Sequence, residues 1–338
     1  MKVLITGASG FIGPHVAEAL IARGDQVTCL VRSTSNVARL ERLGVLMVQG
    51  DLTNPRSPRA AVEGVDAVLH LAGLIKAFSL DELLSVNEQG VRNVVTACAA
   101  RDNPPVLVVV SSLAAAGPSP NGHIRSEVDP PAPVSNYGRS KRAGELAAQA
   151  FASQVPISIV RPPIVFGEGD PAMSQMFRPI ARFGLHVVPG SSDRRFSLIH
   201  AADLAEALVS TIRTGRRIVP ASDPQSESAV GYYFFAAPEQ PTYAELGSLI
   251  GTALNRPRVR IVRTPEWLTW SAAAATELFS RVRRQPSIFN VDKIREATAG
   301  SWICTPKRAQ DELGFSVSVS LPDRLAQTAE WYQREGWL

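Results

Sequence analysis

Cysteine is scarce in these 338 residues, and the three present, Cys29, Cys98 and Cys304, are far apart and odd in number. That spacing suggests neither a disulfide framework nor a zinc knuckle. Cys29 falls inside an apolar run, where a free thiol behaves as a small apolar side chain. An excess of one charge is also missing: 35 Lys and Arg stand against 31 Asp and Glu, for a net charge of +4. Arg281, Arg283 and Arg284 make one local basic cluster. No aromatic-interleaved basic stripe accompanies it, so it reads as a solvated helix end and no nucleic-acid partner is expected. Nor does any apolar run reach membrane-spanning length; Trp267 to Val282 is interrupted by threonine, serine and glutamate. The first apolar strand starts at residue 2, which leaves no room for a signal peptide, and a cytoplasmic, soluble protein is the expectation. Internal repeats and low-complexity tracts are absent, and the Pro/Ser stretch from Pro220 to Ser228 reads as an exposed loop. What remains, 45% apolar and 20% charged, suits a globular enzyme of one large domain or a domain with a smaller companion.

Glycine is where the chain first becomes specific. Val3-Leu4-Ile5 reads as a short buried strand, and Gly7-Ala8-Ser9-Gly10-Phe11-Ile12-Gly13 follows directly. Val16, Ala17, Leu20 and Ile21 then recur at helical spacing. Gly7 permits the sharp turn, Gly10 lets a phosphate oxygen approach the main chain, and Gly13 lets helix and strand pack closely. The free amides and dipole at such a helix N-terminus attract a pyrophosphate. Gln26 to Val31 reads as the second strand. An acid at its end would accept hydrogen bonds from an adenosine ribose, whereas arginine suits a 2′-phosphate. Val31 occupies that position and Arg32 follows, so NADP is expected ahead of NAD. Val45 to Gln49 gives a third strand, after which Asp51 can accept from an adenine amino group. Ala67 to Leu71 gives a fourth, ending in Ala72 and Gly73, small enough for a cofactor to pass close to the backbone. A long helix is expected from Leu80 to Ala100, carrying Asn87.

Val106 to Val110, the fifth strand, is an uninterrupted run of apolar β-formers ending in Ser111 and Ser112. Such strands, separated by helices, indicate a parallel sheet covered on both faces. Ligands of open α/β sheets gather at the carboxyl ends of the strands, where these serines lie. After a proline-rich loop comes Tyr137-Gly138-Arg139-Ser140-Lys141, opening a helix. Residues four apart share a helical face, so the lysine ammonium can sit near the phenol. A neighbouring cation favours phenolate and lowers the tyrosine below its usual value of about 10. A tyrosine so tuned can exchange a proton near neutral pH.

On these residues the chain resembles the extended short-chain dehydrogenase/reductase family, which includes the NAD(P)-dependent epimerase/dehydratases and the hydroxysteroid dehydrogenase and dihydroflavonol reductase branches. The resemblance covers nearly the whole length. It rests on Gly7-xx-Gly10-xx-Gly13, Asp51, Asn87, Ser112, Tyr137-xxx-Lys141 and Arg161-Pro162-Pro163-Ile164-Val165-Phe166-Gly167. It implies an α/β fold, a Rossmann-type doubly wound parallel sheet with a smaller C-terminal substrate lobe. Residues 1–167 would form the dinucleotide-binding domain, with 196–237 returning to it; 168–195 and 238–338 would form the lobe. Ser112, five residues before Gly117, would hydrogen-bond the reacting oxygen. Tyr137 would be the acid/base, and Lys141 would hold the nicotinamide ribose and tune the tyrosine. The cofactor path so implied runs past Gly7, Gly10, Phe11, Ile12, Gly13, Arg32, Asp51, Leu52, Leu71, Ala72, Gly73, Asn87, Ser111, Tyr137, Lys141, Pro162, Ile164 and Val165. No metal is implied. A homodimer through the helices at 80–100 and 137–151 is expected, since relatives often assemble so.

Beyond residue 167 the pattern is coarser. Asp170 to Phe183 reads as a lobe helix, Tyr232 to Ala236 as a sheet strand, Tyr243 to Leu254 as a helix, Val259 to Val262 as a short strand and Pro322 to Trp337 as a helix. His200, near the end of the segment returning to the sheet, reads as a structural histidine ahead of a substrate ligand. Trp331, Tyr332 and Trp337 read as anchors of a core. Three functions compete. One is an NADP-dependent oxidoreductase acting on a secondary alcohol or ketone of a small or hydrophobic substrate. The second is a nucleotide-sugar epimerase or dehydratase with tightly held cofactor, and the third a dinucleotide sensor. Intact Ser112, Tyr137 and Lys141 count against the sensor. Leu113 and Ala114 stand where dehydratases carry an acid. Phe196 stands where nucleotide-sugar enzymes carry a diphosphate-clamping arginine, although Arg194 and Arg195 are adjacent and can substitute. The oxidoreductase is the favoured reading.

Overall fold

The computed structural model describes residues 1–120, 123–190, 193–220, 229–256, 258–287 and 289–338. Residues 221–228 of the expected exposed loop therefore lie outside the described residues. The first half alternates strand and helix. β1 (Lys2–Thr6), α1 (Ile12–Ala22), β2 (Gln26–Val31), α2 (Ala38–Leu43), β3 (Leu46–Gln49), α3 (Arg56–Ala61) and β4 (Ala67–His70) come first. α4 (Leu80–Asn87), α5 (Gln89–Ala99), β5 (Val106–Val110), α6 (Leu113–Ala116), α7 (Asn136–Gln149) and β6 (Ile157–Val160) complete that half. The second half runs through β7 (Ile164–Phe166), α8 (Pro171–Phe183), β8 (Leu185–Pro189), β9 (Leu198–His200), α9 (Ala201–Thr214) and β10 (Tyr232–Tyr233). It ends with α10 (Tyr243–Ala253), β11 (Arg260–Thr264), α11 (Glu266–Val282), α12 (Val291–Thr298), α13 (Lys307–Leu313) and α14 (Leu321–Arg334).

Seven strands form one sheet in the order β10-β6-β5-β4-β1-β2-β3, and every pairing in it is parallel. Order reverses between β1 and β4, so the carboxyl ends of those strands flank a crevice of the kind that admits a dinucleotide. Side chains alternate across the sheet. Val3, Ile5, Val27, Leu69 and Val108 pack toward α1 and α9, while Leu4, Leu30, Val68, Leu107 and Ile159 pack toward α5 and α7. Both faces are thus covered, which is why the middles of these strands are mostly apolar and their polar residues fall largely at the strand ends. α8, α10 and α14 enclose a separate core around Phe177, Ile250, Leu325 and Tyr332. Trp331, Tyr332 and Trp337 pack ring against ring in that layer, Tyr332 stacked on Trp337 and Trp331 edge-on to both, as expected of core anchors. All three cysteines are buried and free.

Most strand and helix boundaries shift from expectation by one to a few residues, and three differences have a physical reason. The helix at 80–100 is two, split at Glu88, one residue beyond the Asn87 carbonyl against which α7 packs; a Cβ on Gly144 would lie 2.3 Å from that oxygen. β10 stops at Tyr233, because Phe234 donates its amide to the Glu127 carboxylate instead of continuing a ladder. The fourth strand ends at His70, and Leu71 bonds back to the Thr6 carbonyl at 3.0 Å. Among the described residues, no helix is long and apolar enough to cross a membrane.

Candidate active site

The glycine turn does what its spacing implies. Gly7 has φ +75°, and a Cβ there would lie 2.5 Å from the Ala72 nitrogen, so β1 and the end of β4 meet backbone to backbone. A Cβ on Gly13 would lie 2.2 Å from the Ala8 carbonyl, so α1 sits hard against the turn. Gly10 meets only the Gly7 carbonyl, at 3.2 Å. Phe11 opens α1 without any side-chain cap, leaving the first helical amides of Ile12 and its successors for an anion. These features, with Ala72 and Gly73 at the end of β4, form a cradle that fits a dinucleotide.

Farther along the sheet edge, Arg32 follows β2 with its side chain exposed. Asp51 lies near it: the Asp51 carboxyl is held below its usual range, first by hydrogen bonds from Thr53 and also by the Arg32 charge. One Asp51 oxygen accepts from both the amide and hydroxyl of Thr53, each at 2.8 Å. The other oxygen is the one that faces no such partner from Thr53. The Leu52 carbonyl accepts from Asn93 at 2.6 Å, which ties this edge to α5.

Ser111 and Ser112 lie just past β5. The Ser111 amide donates to the Val160 carbonyl, and Ser112 caps α6 by accepting from the Ala114 amide at 3.1 Å. Leu113 donates to the Pro162 carbonyl at 2.8 Å, so the β5 end and the 161–167 segment are joined there. Ile164 and Val165 form β7, paired with β9. Tyr137 sits in the first turn of α7, with its phenol close enough to the Ser112 hydroxyl to feel it. Burial pushes that phenol up to about 12, with the Glu296 charge adding to the rise and Ser112 opposing it. The expected lowering by Lys141 is not found. Lys141 instead donates to the Val110 carbonyl at 2.8 Å, and its own value is pushed down to about 8 by burial, against the pull of Glu145.

Asn87 explains how Gly73 and Lys141 meet. A Cβ on Gly73 would lie 2.9 Å from the Asn87 side-chain oxygen and 3.4 Å from Lys141 Nζ. Asn87 accepts from the Leu74 amide at 2.7 Å and donates to the Leu74 carbonyl and the Ser140 hydroxyl, both at 2.9 Å. The loop after β4 and the helix of Tyr137 and Lys141 are thereby fastened by one amide.

Sequence reasoning passed over several supporting residues. Glu145, one turn beyond Lys141, is fully buried and grips Arg161 through two bonds of 2.8 and 2.7 Å. The i, i+4 series Tyr137, Lys141, Glu145 is a signal that marks it. His70 is buried, bonded through Nδ1 to Thr6 at 2.8 Å, and pushed down to about 3 by burial and the Lys141 charge. Asp292 and Glu296 of α12 reach the start of α7. Asp292 accepts from the amides of Asn136 and Tyr137 at 2.8 and 3.2 Å, and Glu296 accepts from Ser135, the N-cap, at 2.5 Å. Nothing in sequence spacing links residues more than 150 positions apart. His200 caps α9 at 3.3 Å and its Nε2 lies 3.2 Å from the Glu168 carboxylate, an arrangement of structural kind. A cleft of about 630 Å³ opens nearby between the Pro118–Pro120 turn, Arg194 and the 298–301 segment; Ser112 and Tyr137 are not on its walls.

The parallel sheet, the glycine cradle and the Ser-Tyr-Lys end of β5 define a nucleotide-dependent enzyme of the Rossmann type. Comparison with known proteins agrees: the family model described as "NAD dependent epimerase/dehydratase family" matches residues 3–222. The chain belongs to that family, within the extended short-chain dehydrogenases/reductases. It is 34% identical over 338 residues to a ceramide reductase of Caulobacter vibrioides, covering 99% of this chain and 96% of the relative. A 2-alkyl-3-oxoalkanoate reductase of Shewanella oneidensis is 27% identical over 330 residues, covering 94% and 83%. In fold the chain is similar to DesIV, a dTDP-glucose 4,6-dehydratase of Streptomyces venezuelae solved with NAD and TYD bound, at a TM-score of 0.78, 20% identity and coverage of 100% and 98%.

Proposed function

We propose that this enzyme is an NADP-dependent reductase that delivers hydride to a ketone on a small or hydrophobic substrate, with Tyr137 as the acid. The observation that carries the reading is the meeting of the Tyr137 phenol and Ser112 just past the carboxyl end of β5, with the phenol pushed up to about 12. A phenol with that value is fully protonated at neutral pH, the form that a reduction requires of its acid. Ser112 holds the substrate oxygen and Tyr137 gives it a proton. Lys141, beside Gly73 and Asn87, is the residue to hold the nicotinamide ribose. When bound, the reduced dinucleotide supplies the hydride. Arg32, exposed at the end of β2, is the partner for a 2′-phosphate. Residues 1–167 and 196–237 serve the cofactor, and 168–195 with 238–338 serve the substrate.

The names of the two reductase relatives denote oxygen functions carried on alkyl chains, which supports an apolar substrate. The epimerase reading loses support at Phe196 and its neighbours. Arg194 is engaged by Glu266 at 2.6 Å and the Ala297 carbonyl at 3.1 Å, and Arg195 by the Gln240 carbonyl at 2.8 Å, so neither is spare for a diphosphate. A homodimer through α4, α5 and α7 accompanies the reading; these helices pack side by side and leave Leu146 half exposed. Sedimentation that finds only monomer at micromolar concentration would remove the dimer. The function itself is tested by supplying NADPH or NADH with a panel of alkyl ketones and of nucleotide sugars. NADPH oxidation by ketones is expected; epimerised sugar without ketone turnover, or a preference for NADH, overturns the reading.

A further inference from the structure

α11 stands apart from every other helix of the second half. It is 17 residues long, yet only Ala273 and Ser280 are buried. At 100° per residue most of its exposed positions fall on one arc that includes Trp267, Leu268, Ser271, Ala275, Leu278, Phe279 and Val282; the charged Arg281 lies at its edge and Glu266 outside it. The five large side chains of that arc are between 44% and 77% exposed. Singly exposed apolar residues are ordinary, but a continuous apolar stripe about 25 Å long is an interaction surface.

Its surroundings indicate what covers it. Arg281 and Arg283 border the arc on its two edges, and Arg284 follows. Arg283 lies over the Phe279 ring at 4.3 Å, which pairs a cation with an apolar anchor at the rim. Arg281 is shared with Glu277 at 2.9 Å and also lies 5.8 Å from the Phe78 ring. Through that contact α11 abuts the 74–79 loop, where Ile75 is 63% exposed, just after Gly73. On its buried side the helix packs on α12, whose Asp292 and Glu296 hold the start of the Tyr137 helix. The three arginines exceed Glu277, the acid paired with them at this end, so the end is net positive and complements a negatively charged surface. A helix with an uncharged apolar face, aromatic anchors and a basic rim, and too short to span, matches a segment lying in a membrane interface.

We propose that α11 docks this enzyme on an anionic lipid bilayer, with Trp267, Leu278, Phe279 and Val282 among the acyl chains and Arg281, Arg283 and Arg284 among the headgroup phosphates. The proposal goes beyond the reductase reading and stands independently of it. The docked face adjoins the 74–79 loop, so the site opens beside the lipid.

Flotation of the full-length protein with vesicles tests this without any substrate, so a failed ketone assay and a failed flotation are separate results. Vesicles of equal phosphatidylglycerol and phosphatidylcholine should carry the protein, and pure phosphatidylcholine should carry it far less. Each arginine near an anionic surface contributes about five-fold in partitioning, so Arg283→Glu/Arg284→Glu should weaken binding at least ~25-fold. Leu278→Glu/Phe279→Glu should weaken binding to the anionic vesicles at least ten-fold by about the same partition logic while leaving the melting temperature in place, since both side chains are exposed. Unbound wild-type protein on anionic vesicles overturns the proposal. So does a Leu278→Glu/Phe279→Glu variant that binds as wild type does. A variant that merely converts a dimer to a monomer, with no vesicle binding by either form, assigns the face to a second copy instead and overturns it too.

Discussion

On the β1 side of the site, backbone lies against backbone: Gly7 against Ala72, Gly13 against Ala8, with no side chain between them. On the α12 side, carboxylates reach across the molecule to the start of α7, where Asp292 and Glu296 take hydrogen bonds from Ser135, Asn136 and Tyr137. The first arrangement is made of residues that cannot be larger than they are, and most of it is written within a dozen positions. The second is made of polar groups brought together from opposite ends of the chain. Under the proposed function the first side meets the cofactor and the second adjoins the substrate, so only the first has to repeat the same close approach. Between the two sides stands α7, which carries the phenol, the ammonium and the buried Glu145.

If α7 is where the two sides meet in chemistry, Tyr137→Phe should have the largest effect. A positioned general acid contributes about 10²–10⁴-fold, so turnover should fall by that much with cofactor affinity retained. Retention of more than about a tenth of wild-type turnover, with chemistry rate-limiting, would assign the proton to another group. Glu145→Ala should come next. It leaves Arg161 as an unpaired buried charge, at a cost of about 3–5 kcal/mol in denaturant unfolding. The exposed Lys307–Asp311 pair offers the contrast, since Lys307→Ala should change stability by under about 1 kcal/mol. Equal losses at both would show that burial does not distinguish them.

Arg32→Ala sharpens the cofactor side alone. Losing a charge-assisted contact to phosphate costs about 1.5–3 kcal/mol, so NADP binding should weaken roughly ten- to a hundred-fold with NAD nearly unchanged. Calorimetry that finds both cofactors equally weakened would separate Arg32 from the phosphate.

His70 gives the sheet end a pH signature. Its ordinary value of 6.5 is pushed down to about 3 in the fold, so between these values the unfolded chain takes up a proton that the folded chain refuses. Stability from this group is complete above pH 6.5 and is lost as pH falls toward 3, at up to about 1.4 kcal/mol per pH unit. His70→Gln should flatten that acid slope; an unchanged slope would place the proton elsewhere. A modest effect is expected where α12 meets α7. Ser135→Ala removes the α7 N-cap and the bond to Glu296, and should cost about 1 kcal/mol, the usual worth of a helix cap, read as a lower melting temperature.

Much of this protein was determined by local sequence. Glycines at 7 and 13 dictate the turn because a Cβ at either would run into backbone, and runs such as Val106–Val110 dictate buried parallel strands because both faces have to be apolar. Tyr137 and Lys141 share a face because a helix repeats every 3.6 residues. Three things were decided only in the folded chain. The acidity of Tyr137 came from burial and from Glu296, 159 positions away in the numbering, while Lys141 turned to the Val110 carbonyl. The engagement of Arg194 and Arg195 depended on Glu266, Ala297 and Gln240, which no spacing rule connects to them. The exposed stripe on α11 has the apolar periodicity of a core helix, and only the absence of packing on that face, among the described residues, distinguishes it from one. Periodicity and steric exclusion act between near neighbours along the chain. Desolvation, charge pairing and exposure depend on what the rest of the chain brings alongside.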